Sequence, residues 1–314
     1  MGGETVAAQS AGWLDVTDFA YRGVYHLPQP ITTGHEMLDE ITNGGLRPGV
    51  HVISARPGTG KTSFGVDMAC RQLELGRKAA IISNEITAEE IFTRLASRMS
   101  DREFGWTDIE RYVRARGDFD DPDHLRAKRA LTRFGEIAER CKGNVLIAGP
   151  RSTSNDLGPR DTAEVADHIQ AAHELGASLV VVDYLQTIEP LERCSSQTER
   201  ITYVMDSIVT ASNMFKVAVL LIASQSRQGM RDETDGLTSV GGSSRVEYSA
   251  LTLATIAKND ELEVDRSKGE RGFKFEVHKN RYGSLRNGDD ALRAVCVPRY
   301  GIWAIEKPHD SGGQ

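Results

Sequence analysis

An α/β fold with a mainly parallel central β-sheet, flanked by helices and closed at its C-terminal edge by antiparallel strands, is what this sequence predicts. Three observations lead there. Short runs rich in Val, Ile and Leu alternate with amphipathic segments from about residue 35 to 225, which implies parallel strands joined by right-handed helical crossovers. A glycine-rich turn, "ARPGTGKT", separates the first such run from the first long amphipathic segment. The last third carries strand-like runs with no helical pattern between them, as a closing sheet edge would.

Taken in order, "GVHVISA" (49–55) reads as a strand and "KTSFGVDMACRQLELG" (61–76) as a helix with Phe64, Met68 and Leu75 on one face. "KAAIISNE" (78–85) is a second strand. "AEEIFTRLASRMS" (88–100) is a helix whose start is marked by Thr87 with Glu90 three residues on, a capping box. Residues 101–142 are charged and read as helix in two pieces broken near "GDFDDPD". Strands then follow at 144–149, 178–185 and 216–225, separated by helices at 162–176 and 198–215. Beyond a Gly/Ser-rich segment, "SALTLATIAK", "RGFKFEVHKNR" and "GIWAIE" supply the closing edge.

Composition narrows the class. Hydrophobic residues make up 39% and charged residues 26% of the 314 residues, as in an ordinary globular protein with a sizeable core. The longest apolar runs, "VAVLLIA" and "SLVVV", are too short to span a bilayer. The first fifteen residues have neither a basic n-region nor an apolar h-region, and the four cysteines have no paired spacing, so a cytoplasmic protein is expected. A net charge of −7 disfavours a uniformly basic face that coats duplex DNA but permits a local basic channel.

The chemistry sits where strands end, which is where parallel sheets bind ligands. In Ala55-Arg56-Pro57-Gly58-Thr59-Gly60-Lys61-Thr62-Ser63, the glycines let backbone N–H groups curl toward phosphate and the following helix presents its positive end. Lys61 would reach the β- and γ-phosphates of a nucleoside triphosphate and Thr62 would ligate Mg2+. Ala55 stands where the simplest form of the motif has Gly; a methyl group fits there provided the backbone does not need positive φ. Asp183, at the end of "VVVD", can hold the Mg2+ water shell opposite Thr62. Glu85, just past the second strand, is placed to polarise an attacking water, and Gln225, ending "LLIASQ", to sense a γ-phosphate by hydrogen bonding. Each of these also has a plainer reading, as a polar strand terminus or a helix cap.

The ordered set "TTGHEMLDEITNGGLRPGVHVISARPGTGKT", "SNEIT", "VVVDYLQ", "QTER", "IASQSRQ" and "KNRYG" resembles the hexameric replicative helicases of the bacterial DnaB type, within the RecA-like P-loop ATPases. The match runs from about residue 31 to 306. The resemblance implies a RecA-like core over 31–308, with an N-terminal arm or linker at 1–30 and a tail at 309–314. It implies ATP and Mg2+ as cofactors, Glu85 as catalytic glutamate, Asp183 as metal-binding aspartate and Gln225 as γ-phosphate sensor. It also implies that Lys279 and Arg281 reach the nucleotide of a neighbouring subunit in a homo-oligomeric ring, a hexamer in this family. An Arg supplied in this way stabilises charge on the transferring phosphoryl group and makes hydrolysis depend on assembly.

Two loops remain for nucleic acid, 189–200 and 226–245. In the second, Arg227, Arg231 and Arg245 beside "GGSS" could hold the phosphates of single-stranded DNA, gripping backbone rather than bases since neither loop has an aromatic residue; a solvated Gly/Ser loop is the alternative. DnaB-type helicases usually carry a separate helical N-terminal domain that contacts primase, and the sequence as given is expected to have at most thirty residues in that place. Their Trp13, Phe19, Tyr21 and Tyr25 would dock on a neighbouring subunit or pack on their own domain. An ATP-driven helicase, with replication or loader proteins as partners, is the first reading. A regulatory, loading or recombination ATPase that does not unwind is the second.

Overall fold

The structure, a computed structural model, describes residues 28–109, 123–152, 154–225 and 244–307, with the side chains of 123–127 left aside. The aromatic residues of the N-terminal arm, Arg227, Arg231 and the C-terminal tail lie outside the described residues.

The elements follow one another as α1 (Glu36–Ile41), β1 (Gly49–Ala55), α2 (Lys61–Glu74), β2 (Lys78–Ser83), α3 (Ala88–Arg98), α4 (Asp123–Cys141), β3 (Val145–Ala148), α5 (Thr162–Glu174), β4 (Ala177–Asp183), α6 (Gln197–Phe215), β5 (Ala218–Ser224), α7 (Ser244–Ser249), β6 (Thr252–Lys258), β7 (Arg271–Asn280), β8 (Leu292–Val297) and β9 (Ile302–Glu306). The strands form one sheet in the order β3-β2-β4-β5-β1-β6-β7-β8-β9. From β3 through β6 the neighbours are parallel, and from β6 to β9 they are antiparallel. This is the α/β fold that the sequence predicts, with the antiparallel strands on the expected edge.

Side chains alternate across the parallel strands, as the pleat requires. Ile53, Ile81, Val181, Leu220 and Ile222 pack on one face with Phe64 and Met68 of α2 and Ile91 and Leu95 of α3. Val52, Ile82, Val180, Val182 and Leu221 pack on the other with Val165 and Ile169 of α5 and Val204, Met205 and Ile208 of α6. The helix α2 lies so close to the sheet that a Cβ on Gly65 would stand 2.8 Å from a methyl of Val181.

Local signals explain the boundaries. Thr87 and Glu90 form the expected capping box at α3, and Asp161 with Glu164 forms a second at α5. One expectation is corrected: Leu75 does not share the buried face of Phe64 and Met68 but is 47% exposed. The helix ends at Glu74, Leu75 is its C-cap, and Gly76 at φ +71° turns the chain away before that face can be completed. The six-residue α7 and the strand β8, which lies between β7 and β9, were not legible in the sequence.

Candidate active site

The carboxyl ends of β1, β2, β4 and β5 converge, because these strands are parallel neighbours in register: Ser83 opposite Asp183, Asp183 opposite Ile222, and Ala55 opposite Ser224. Lys61, Thr62, Glu85, Asp183 and Gln225 therefore gather at one end of the sheet. Ala55 is a fully buried strand residue outside positive φ, so its methyl costs nothing there. The turn's special backbone falls on Gly58 at φ +75° and Gly60 at φ +91°. Arg56, Pro57 and Gly58 are exposed at its tip, while Thr59 is buried and closes the turn with a hydroxyl bond of 2.7 Å to the Arg56 carbonyl.

At the start of α2, the Thr62 hydroxyl donates to Asp183 Oδ2 at 2.6 Å. Asp183 is 1% exposed, and its Oδ1 is buried with no hydrogen-bond partner among the described residues. Burial pushes its carboxyl up to about 6; the Thr62 hydrogen bond and Lys61 oppose this, and the charge of Glu85 adds to it. Lys61 is shifted down by burial against the pull of Glu85 and Asp183. A hydroxyl, a carboxylate with one oxygen still to satisfy, and a lysine between two acids form an all-oxygen donor set for a hard divalent cation beside a cation for phosphate. Glu85 is exposed at this mouth, free to meet a ligand from solvent. Gln225 is half-buried, and its N–H bonds the Ala55 carbonyl at 3.3 Å, fixing it directly beside the glycine turn.

Several contributors escaped the sequence reading. Trp303 on β9 donates its indole N–H to Ser63 Oγ at 3.3 Å, and its ring would stand 3.0 Å from a Cβ on Gly60. Its carbonyl accepts from Arg71 at 2.6 Å, and Arg71 also bonds Asp67 at 2.8 Å. Asp67 is fully buried and also takes hydrogen bonds from His35 and Arg98, which hold its carboxyl down at about 2 against the desolvation cost. The phosphate turn thus rests on a buried charge network and on the last strand of the chain. Only the aromatic residue in "GIWAIE" gave any sequence signal of this.

Lys279 and Arg281 are not part of the cluster. Arg281 N–H bonds the Leu251 carbonyl, and Leu251 N–H bonds that of Val50, which puts the pair at the amino end of β1. From Val50 to Ala55 is roughly 17 Å of strand at about 3.3 Å per residue, so neither side chain stands at its own chain's phosphate turn. Lys279 Nζ donates to the carbonyls of Glu247 and Tyr248, and Arg281 to that of Tyr248 at 2.8 Å, both at the carboxyl end of α7. Arg245, at the start of α7, pairs with Asp206 of α6 at 2.6 Å.

Comparison with known proteins bears on the family and the fold. A family model described as the DnaB-like helicase C-terminal domain matches residues 30–290. A probable plasmid replicative DNA helicase of Chlamydia psittaci is 25% identical over 260 residues, 81% of this chain and 52% of that protein. The replicative helicase DnaB of Geobacillus stearothermophilus is 22% identical over 265 residues, 81% of this chain and 53% of its own length. The chain thus spans about half the length of the curated relatives it matches. Among solved structures, a DnaB-like replicative helicase superposes with a TM-score of 0.70 at 21% identity, covering 91% of this chain and 66% of that one. The match of the family model over most of its length makes the chain a member of the DnaB-like helicase C-terminal domain family.

Proposed function

We propose that this chain is the ATP-hydrolysing motor of a ring-forming replicative helicase, moving on single-stranded DNA. The observation that carries the reading is the split of its functional residues. Lys61, Thr62, Glu85, Asp183 and Gln225 meet at one end of the sheet, while Lys279 and Arg281 sit at the other. A site divided in this way is completed only when a second subunit is placed against the first, as in a closed ring with heterologous interfaces.

In the complete site, backbone N–H groups from Gly58 to Thr62 cradle phosphate and Lys61 binds the β- and γ-phosphate oxygens. Thr62 and Asp183 would hold Mg2+, which would neutralise charge shared between those phosphates. Glu85 takes the proton of a water attacking the γ-phosphorus as the bond to the β-phosphate oxygen breaks. Gln225 hydrogen-bonds the γ-phosphate, and the neighbour's Arg281, with Lys279, stabilises the charge spread over its equatorial oxygens. The working unit is residues 31–308 in a homo-oligomer, six subunits being the family's number, with replication or loader proteins as partners in the cytoplasm. Among the described residues, no helix is long and apolar enough to cross a membrane, and the four cysteines are free thiols.

ATP turnover measured with and without single-stranded DNA, beside strand displacement on a forked duplex, tests the reading. Stimulated turnover and displacement are expected, both abolished by Lys61→Ala. Assembled, nucleotide-bound protein that hydrolyses ATP without binding or displacing DNA would instead select the regulatory or loading ATPase.

A further inference from the structure

Two residues from segments that carry the family resemblance take no direct part in the phosphate site: Gln186 of "DYLQ" and Arg200 of "QTER". They converge on one structure. The parallel ladder between β4 and β5 ends at Asp183 opposite Ile222, and β4 then leaves the sheet in a tight 3-10 turn, Leu185–Thr187. The next rung on β5 is Ser224, whose N–H and carbonyl both face the side that β4 has just vacated. The Gln186 side chain fills that place. Its amide nitrogen donates to the Ser224 carbonyl at 2.9 Å, and its amide oxygen accepts from the Ser224 N–H at 3.1 Å. A primary amide offers the same donor and acceptor pair as a peptide group, so the side chain supplies the missing rung. Arg200, on the first turn of α6, donates to the carbonyls of Gln186 at 3.1 Å and Ile188 at 3.2 Å and to Glu189 Oε1 at 2.8 Å, holding the turn that carries the amide. On its other edge, β5 continues to β1 through the bond from Gln225 N–H to Ala55. Gln225 is therefore the residue after a rung that only a side chain provides.

We infer that Gln186 and Arg200 are positioning residues that fix Gln225 against the γ-phosphate, tying its strand to the strand that bears Asp183. The inference rests on the sensor role proposed for Gln225. Loss of the rung lets the end of β5 fray, which leaves the α- and β-phosphate contacts of the glycine turn intact and blurs only what Gln225 reads. The defect is thus specific to a nucleotide that has a γ-phosphate.

The experiment uses the full chain assembled with nucleotide, comparing affinity for ADP with affinity for a non-hydrolysable ATP analogue and following steady-state turnover. Gln186→Leu removes both bonds and Gln186→Glu removes the donor; Arg200→Met tests the support and keeps the inference testable if Gln186→Leu fails to fold. The preference for the ATP analogue over ADP and the turnover number should each fall by about tenfold, the worth of one or two buried hydrogen bonds, with ADP affinity within about twofold. In a Gln225→Ala background, Gln186→Leu should add less than about a further twofold, because both changes act through one contact. Equal weakening of ADP and the ATP analogue, or a full additional loss in the Gln225→Ala background, would overturn the inference. If Gln225→Ala itself leaves the preference for the analogue intact, the sensor role fails. If that variant loses the preference and the Gln186 and Arg200 variants keep it, the clamp alone fails.

Discussion

The two faces of the central sheet are built on different principles. Behind the strands, α5 and α6 seat an aliphatic layer, Val165, Ile169, Val204, Met205 and Ile208, against Val52, Val180, Val182 and Leu221. In front, α2 and α3 enclose a comparable apolar cluster that also contains charge: fully buried Asp67 with His35, Arg71 and Arg98, and Arg98 reaching on to Glu74 at 2.9 Å. Apolar burial is nondirectional and fixes distance more than orientation. Hydrogen bonds to a single carboxylate fix orientation. The face that must present a phosphate turn has both: Asp67 joins the segment before β1, the helix after the turn and α3, and its partner Arg71 extends the network to β9.

Removing the charge centre should break this contrast most severely. Asp67→Asn leaves Arg98, Arg71 and His35 around a neutral amide, and a loss of about 3–5 kcal/mol is expected in denaturant unfolding, since an uncompensated buried charge is costlier than a cavity. On the opposite face, Ile169→Ala should cost about 2–4 kcal/mol by cavity formation. The two should separate in function: at temperatures where both are folded, Asp67→Asn raises the KM for ATP and Ile169→Ala does not.

A third test is pH. His51 of β1 shares its strand face with Ile53, receives the Thr252 hydroxyl at Nδ1 and donates Nε2–H to the Arg47 carbonyl at 2.9 Å, which defines its neutral tautomer. Burial lowers its pKa from the ordinary 6.5 to about 4. The folded protein thus binds fewer protons than the unfolded chain between those values. The stability this histidine contributes is complete above 6.5 and is lost as pH falls toward 4, by about 3 kcal/mol in all. Replacement by Gln should flatten the urea-unfolding profile across that window. The smallest expected effect is that of Trp303→Phe, which keeps most of the ring packing against Gly60 and loses the Ser63 bond. About 1 kcal/mol of stability and a modest rise in the KM for ATP are expected.

The apolar runs announced the sheet because strands buried on both faces need continuous Val, Ile and Leu, and each strand read from them lies within a few residues of its observed span. Asp183 was legible at a strand end and Lys61 and Thr62 at the start of the helix after the glycine turn, and the structure joins Thr62 to Asp183 by a hydrogen bond. The Asp67 network was not legible, since an Asp in mid-helix looks solvated until Arg98 and His35 are placed around it. Trp303 meets Ser63 across most of the chain length, and no local pattern encodes such a contact. Gln186 was visible only as family spelling, because its work is to stand in for backbone. The distance between Arg281 and its own phosphate turn likewise needed the register of β1, β6 and β7.

That distance supports the central claim, that each active site is shared between two subunits, and a complementation assay tests it most directly. Protein carrying Arg281→Ala and protein carrying Glu85→Gln should each fail to hydrolyse ATP alone. Mixed in equal amounts and allowed to reassemble, they should regain turnover, because about a quarter of randomly formed interfaces would pair an intact Glu85 with an intact Arg281 from the next subunit. A mixture no more active than its components, or an Arg281→Ala protein with undiminished turnover, would contradict the shared site.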